Sequence, residues 1–410
     1  MKLLTFLGIN NYSATRYKWG DESSIMDTRL FPVALVEWLQ PDEVLVFLTK
    51  QAQEHQNWKE LSDKIDATPV PIASGASESE LWQIFDAIVD RVDEADDLVI
   101  DITHGFRSLP LLGLLVAAYL RHVKQARVMH LVYGAFEARD RETNVSPVFE
   151  LTPFVGLFDW IVAADHFQRT GFGVPLAELM RNATGKVAAL RDNILELSDC
   201  LQLLRPLDVI ESSSRLRDTI KSAATEIAAD VPPLEEMLDH VAKSYGAFSA
   251  DSQNPVEVLE AQLRMVEWCA QQQQFVQALA LAREWLPSVL CIYFGVDPQN
   301  LRERADMELL LTGGKVKDPK TGKTVKESPR RGQWSGVPAR KKLRRLWNDP
   351  PYTLANLRND LLHAGFRKNP RDAQEIKTMV PGVLEELRTV WAEIRPKLES
   401  TDRQTCHGAP

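Results

Sequence analysis

The sequence predicts a doubly wound α/β domain over residues 1–155 and an all-α region over the rest of the 410-residue chain. Before residue 155, apolar runs of strand length alternate with helix-length stretches, as parallel β-α units require. After about Pro153 the strand signals stop and helical periodicity takes over. The length leaves room for two to three domains.

The strand runs fall at 3–7, 44–48, 69–72, 98–102 and 127–133. Helix-like stretches lie between them at 31–39, at 78–92 and at 109–122. In the second of these Leu81, Ile84, Phe85, Ile88 and Val92 share one face. Residues 126–136, a charged turn through 139–142 and residues 145–151 predict a hairpin that closes one edge of the sheet. Residues 154–310 read as nearly continuous helix, broken at 171–175, Pro206, Pro232-Pro233 and 249–255. Residues 313–340, rich in Gly, Lys, Pro and Ser, predict a long loop or hairpin. After Pro350-Pro351, Thr353 is a candidate N-cap for a helix over 354–364, with Gly365 as its stop. A last helix is expected over about 373–398, interrupted near Pro381, and residues 401–410 form a frayed tail.

Hydrophobic residues at 44% and charged residues at 26% exclude a mostly disordered or collagen-like chain. A net charge of −9 excludes a global affinity for nucleic acid, so any such site is a local patch. The longest apolar run, 109–120, is too short for a bilayer, and the N-terminus lacks a small-residue cleavage site, so no membrane partner is expected. Cys200, Cys269, Cys291 and Cys406 are scattered without a C-x-x-C pair, which argues for a reducing cytoplasm. No repeat of solenoid length is present.

Four constellations could carry chemistry. The first is Asp101-Ile102-Thr103-His104-Gly105-Phe106-Arg107-Ser108, between an apolar strand and the most apolar helix. In a doubly wound sheet, loops at the C-terminal ends of strands line the ligand crevice. Arg107 offers a bidentate phosphate donor beside the free N–H groups of a helix start, and Gly105 lets backbone approach a ligand. The same residues would also suit a plain turn in which Asp101 and Thr103 cap backbone groups. The second is the polar loop after the first strand, with Gly8, Asn10, Tyr12 and Thr15; Thr49 after the second strand would join the same crevice. Neither G-x-G-x-x-G nor a Walker motif is present.

The third constellation is Leu357-Arg358-Asn359-Asp360-Leu361-Leu362-His363-Ala364. Leu354, Leu357, Leu361 and Ala364 form a docking stripe, and Asn359 and His363 stand i, i+4 on one face. Arg358 lies about 140° around from His363, so only its length brings the two together. The set suits RNA cleavage: an imidazole moves protons near neutral pH, a guanidinium stabilises phosphorane charge, and an amide orients either. A capped surface helix with a solvated histidine is the alternative. The fourth is basic. From residue 315 to 345 there are twelve Lys/Arg against two acidic residues, with Trp334 and Trp347 interleaved. Arg340, Lys341, Lys342 and Arg344 are the candidate RNA contacts, against the alternative of a solvated loop. With no H-E-x-x-H, paired cysteines or D-x-D cluster, no metal site is expected.

Two of these motifs together resemble one family. Residues 101–105 match the DxTHG motif of CRISPR-associated proteins with a CARF sensor domain, and Phe6-Leu7-Gly8 with Thr15 and Tyr17 resembles their first strand and loop. Arg358-Asn359-x-x-x-His363 matches the R-x(4–6)-H motif of HEPN ribonucleases. The order resembles that of type III CRISPR ancillary ribonucleases. The resemblance implies a Rossmann-like CARF sensor over 1–155, a helical linker over 156–250 and an all-α HEPN-like domain over 251–400 with the basic insertion 313–340. It also implies a homodimer or higher even oligomer that needs no cofactor. A cyclic oligoadenylate, the tetra-adenylate favoured, would act as allosteric activator. Gly8, Asn10, Thr15, Thr49, Asp101, Thr103, His104, Gly105, Phe106 and Arg107 would then be ligand-binding, and Arg358, Asn359 and His363 from both protomers catalytic. The implied reaction is metal-independent cleavage of single-stranded RNA by the 2′-OH, leaving a 2′,3′-cyclic phosphate. Two alternatives stay open: a sensor without nuclease activity that binds DNA or a protein partner, and a CARF domain that degrades its own ligand.

Overall fold

In the first strand, β1 (Lys2–Phe6), Leu3 faces one side of a sheet and Leu4 and Phe6 the other, and all three are buried. Burial on both faces is the mark of a central parallel strand. The computed structural model describes residues 1–20, 24–105, 109–230, 234–363, 366 and 368–406, excepting the side chains of 228–230, 358, 359, 362 and 401–406. The chain divides into two units, Met1–Trp160 and Ile161–Pro410.

In the first unit β1 is followed by β2 (Thr15–Lys18), β3 (Ile25–Thr28), α1 (Phe31–Leu39), β4 (Glu43–Leu48), α2 (Lys50–Glu54), α3 (Gln56–Lys64), β5 (Thr68–Pro71), α4 (Glu78–Val89), β6 (Asp97–Asp101), α5 (Leu109–Val123), β7 (Arg127–Gly134) and β8 (Val145–Glu150). The strands form one sheet in the order β3-β2-β8-β7-β6-β1-β4-β5. β1 pairs parallel with β4 and β6, β4 with β5, and β6 with β7. Leu45 and Phe47 of β4 join Leu4 and Phe6 under α4 and α5, while Val44, Val46 and Leu48 join Leu3 under α1 and α3. The predicted α/β class is the observed one.

One expectation for the sheet needs correction. The β7–β8 pair is antiparallel as expected but closes no edge, because β2 pairs parallel with β8 and β3 antiparallel with β2. β2 and β3 have four residues each, with Thr15 and Tyr17 in and Arg16 out. So short an alternation does not stand out in a sequence. At the other edge β5, Thr-Pro-Val-Pro, can lack ladder donors because one side is unpaired.

Helix α6 (Thr152–Thr170) leads into α7 (Val174–Glu178), α8 (Gly185–Gln202), α9 (Pro206–Asp230), α10 (Leu234–Gly246), α11 (Pro255–Gln271), α12 (Phe275–Tyr293) and α13 (Leu301–Leu311). The insertion folds as a hairpin of β9 (Lys315–Lys317) and β10 (Thr324–Glu327), then α14 (Arg331–Trp334) and α15 (Arg340–Asn348). The chain ends in α16 (Leu354–Leu362) and α17 (Ala373–Cys406). One core gathers residues of α11, α12, α13, α15, α16 and α17 around Trp285, Trp347 and Trp391.

The break expected at Pro381 is absent: α17 runs through Pro381 and Pro396. Val380, Val383, Leu387, Val390, Ile394 and Leu398 are buried along it, and this docking outweighs the lost backbone hydrogen bonds. Gly382 is needed there, since a Cβ would come within 2.7 Å of the Tyr352 hydroxyl. Among the described residues α12 is long and apolar enough to cross a membrane, with half of that stretch buried inside the protein. The longest uninterrupted run overlooks it because Arg283 and Glu284 divide it.

Candidate functional site

Strand order reverses at β1, which lies between β4 on one side and β6 on the other. Ligands of doubly wound sheets bind outside the carboxyl ends of the strands at such a switch point. The loops after β1, β4 and β6 meet there around a cavity of about 130 Å³, lined by Gly8, Asn10, Thr49 and His104 together with Ile9 and Ile72. Four of the ligand residues expected from the sequence are thus brought together.

Asp101, Thr103 and Gly105 hold the turn rather than line the cavity. Asp101 is fully buried; one carboxylate oxygen accepts from the Thr5 hydroxyl at 2.7 Å, the other from the Thr103 N–H at 2.8 Å. The Thr103 hydroxyl oxygen in turn accepts from the Gly134 N–H at 2.8 Å, tying the turn to β7. Gly105 sits where a Cβ would crowd Leu109 at 3.0 Å. Thr15, expected at the ligand, is fully buried in β2, its hydroxyl against Ser146 Oγ and the Asn144 carbonyl. Phe106 and Arg107 lie outside the described residues. Burial pushes the Asp101 carboxyl up to about 6, against the hydrogen bonds from Thr103 and Thr5.

His104 is buried and packs on Tyr12 with ring centroids 3.9 Å apart. Its Nε2 accepts from the Phe31 N–H at 3.1 Å and so caps the start of α1. Burial pushes the imidazole down to about 3, so at neutral pH it is uncharged with its proton on Nδ1. Such a ring keeps its Nδ1–H to donate one hydrogen bond. The Tyr12 hydroxyl accepts from the Gly8 N–H at 2.9 Å.

Asn57 is the residue that sequence reasoning misses. Buried in α3, its amide donates to the carbonyls of Gly8 and Asn10, both at 2.9 Å, and fixes the loop that lines the cavity. Its side-chain oxygen faces Arg29, which is ion-paired with Glu60. Nothing in Gln56-Asn57-Trp58 marks it; only the fold brings it to a loop nearly fifty residues away.

In the second unit α16 docks through Leu354 and Leu357, with Leu361 partly buried, and His363 is exposed just past its end. The helix begins at Leu354 as expected, and the Thr353 hydroxyl oxygen just before it accepts from Arg371 at 2.8 Å. Arg371 also donates to the Pro351 carbonyl at 2.7 Å, and its backbone N–H to Asp360 at 3.0 Å, so one residue clasps both ends of α16. The other Asp360 oxygen is buried without a hydrogen-bond partner among the described residues. The side chains of Arg358 and Asn359 lie outside the described residues, as does Ala364.

The four candidate RNA contacts divide. Arg340, Lys341 and Arg344 line a cleft of about 740 Å³. Lys342 does not: its ammonium is paired with Glu393. Among the described residues no three His, Cys, Asp or Glu side chains cluster as metal ligands would.

Residues 2–137 match the family model for the CARF domain of the CRISPR system endoribonuclease Csx1, and residues 156–252 that for the second domain of CRISPR-associated protein MJ1674. CRISPR-associated protein MJ1674 of Methanocaldococcus jannaschii is 25% identical over 171 residues, which is 41% of this chain and 27% of that protein's length. Among solved structures, Enterococcus italicus Csm6 bound to cyclic hexa-2′-fluoro-hexa-dAMP aligns over 98% of this chain and 96% of its own. Its identity is 10% and its TM-score 0.45, too distant to bear on function. Residues 2–137 are thus similar to a CARF domain, the domain whose motif the 101–105 segment resembles, and residues 156–252 to the second domain of a CRISPR-associated protein.

Proposed function

We propose that this chain is a type III CRISPR ancillary ribonuclease. A cyclic oligoadenylate bound by the first unit switches on metal-independent cutting of single-stranded RNA at α16. In this reading residues 1–155 are the sensor, 156–250 the linker and 251–400 a HEPN-like nuclease. One observation carries it: the stretch similar to a CARF domain has its cavity at the switch point, lined by Gly8, Asn10, Thr49 and His104. A ring of phosphates needs N–H groups and cations converging on it, and the sequence segment from Thr103 to Ser108, with Arg107, is of the composition suited to supply them.

The nuclease half rests on Arg358-Asn359-x-x-x-His363 and on the exposure of His363. His363 takes the 2′-OH proton or gives one to the leaving 5′-oxygen, and Arg358 stabilises the phosphorane. Asn359 orients them, and the products are a 2′,3′-cyclic phosphate and a 5′-OH. A single imidazole cannot be base and acid at once, so a second copy's His363 serves the other role. An exposed apolar stripe of Leu111, Leu115, Tyr119 and Val123 along α5 supports such a homodimer. The ligand must bind the active arrangement more tightly than the resting one, or it shifts nothing.

The test is incubation of the full chain with end-labelled RNA in EDTA, with cyclic tri-, tetra- and hexa-adenylate added separately. The expected result is cleavage with one ring, yielding 2′,3′-cyclic phosphate ends. Cleavage abolished by EDTA and restored by Mg²⁺ or Mn²⁺ would mean a different chemistry.

A further inference from the structure

We propose that the insertion between α13 and α16 is a phosphodiester-binding arm that holds single-stranded RNA, anchored in the cleft formed by Gly313, Arg331, Trp334, Arg340, Lys341 and Arg344. The inference takes from the proposed function only that the chain handles RNA, and it concerns a surface apart from the residues assigned to catalysis.

The insertion sorts its cations into two sets. Arg330 pairs with Glu303 and Asp306, Lys342 with Glu393, and Arg345 with Glu386 while lying over the Tyr352 ring. These hold the insertion to α13 and α17. The second set faces the cleft. Among the described residues Arg340 and Lys341 have no acidic partner and Arg344 reaches Asp349 only at 3.9 Å, while Arg331 pairs with Glu327, the one carboxylate among the cleft's described lining residues. A solvated loop would have no reason to separate its charges in this way.

The backbone is shaped for the same end. Gly314 has φ +78°, and a Cβ there would meet Arg331 Cγ at 2.9 Å, so Arg331 lies directly against the chain at the mouth of the hairpin. Trp334, buried, forms part of the cleft wall. In β9, Lys315 and Lys317 share one face, and Lys320, Lys323 and Lys326 follow, with no ion pair among the described residues for any of the five. Guanidinium groups bind phosphate through paired donors and stack on bases, whereas scattered lysines follow a backbone by charge alone. A cleft of arginines continued by a lysine ribbon therefore fits a strand of phosphates better than one isolated anion.

The experiment reads binding without turnover. The full chain carrying His363→Ala is titrated with a labelled oligouridylate at several salt concentrations. One variant adds Arg340→Ala, Lys341→Ala and Arg344→Ala. A second adds Lys342→Ala and Arg345→Ala, which removes charge of the same sign outside the cleft. Each lost phosphate contact lowers the slope of log affinity against log salt by about 0.7, so the cleft variant should lose about 2. The second variant should lose well under half of that. Equal losses in both variants would leave only diffuse attraction and overturn the cleft. So would an unchanged slope in the cleft variant, or no binding by the parent. Displacement of the RNA by uridine monophosphate at equal nucleotide concentration would show a single-phosphate site and overturn the strand. Because cleavage is not the readout, the arm can fail while the wild type still cuts RNA, and the reverse.

Discussion

His363→Ala should lower RNA cleavage by about 10²–10⁴-fold, the range for loss of a general acid or base, while thermal stability and affinity for the cyclic oligoadenylate should stay unchanged. The separation follows from position. His363 is exposed beyond the end of α16, and the helix is held by Leu354, Leu357 and the Arg371 clasp, none of which the substitution touches. An exposed side chain contributes little to stability. Arg358→Ala should give a loss of similar size by a different route, removal of charge stabilisation. Rates are read on labelled RNA with saturating ligand, alongside a melting curve. Near-normal cleavage by both variants would remove α16 from the mechanism.

Asp101→Asn changes how stability depends on pH. The wild-type carboxyl titrates near 6 when folded, against 3.8 unfolded. Between those values the folded chain holds a proton that the unfolded chain has released, so stability falls as pH rises through the window. The fall is about 3 kcal/mol, from roughly two pK units at 1.36 kcal/mol each. The substituted carboxamide is neutral at every pH in the window. It keeps an oxygen for the Thr103 N–H, and its nitrogen can donate to the Thr5 hydroxyl oxygen. The variant's unfolding free energy relative to wild type should therefore rise by about 2.5 kcal/mol from pH 4 to pH 7, most of the full change, since the unfolded carboxyl is already half ionised at pH 4. Urea melts at the two pH values measure this, and parallel changes in both proteins would contradict it.

Asp101 also shows how far the site could be read from the chain. The strand, turn and helix around it are visible in a local pattern: an apolar run, polar turn residues, then Leu109 and Pro110 at a helix start. The meeting of Gly8, Asn10, Thr49 and His104 follows from parallel β-α order, which sends the loops after β1, β4 and β6 to one edge. What the pattern does not carry is the use of each polar atom. Asp101 and Thr15 read as ligand contacts because polar residues at strand ends usually face solvent; here both are buried and bonded within the sheet. Asn57 and Arg371 act across the chain, and no local period marks them. In the basic insertion the charge is plain, but the difference between Lys342 and Lys341 depends on Glu393, some fifty residues downstream.

The most direct test of the central claim is the rate of RNA cleavage as a function of cyclic oligoadenylate concentration, for wild type and for Arg107→Ala. The wild type should be nearly inactive without ligand and rise to a plateau with one ring size. Arg107→Ala should raise the half-activating concentration by at least about tenfold, the effect of some 1.4 kcal/mol of lost phosphate contact. Its plateau should recover at saturating ligand, since the catalytic residues are intact. Equal cleavage by the wild type with and without every ring tried, or an unshifted curve for Arg107→Ala, would contradict the account.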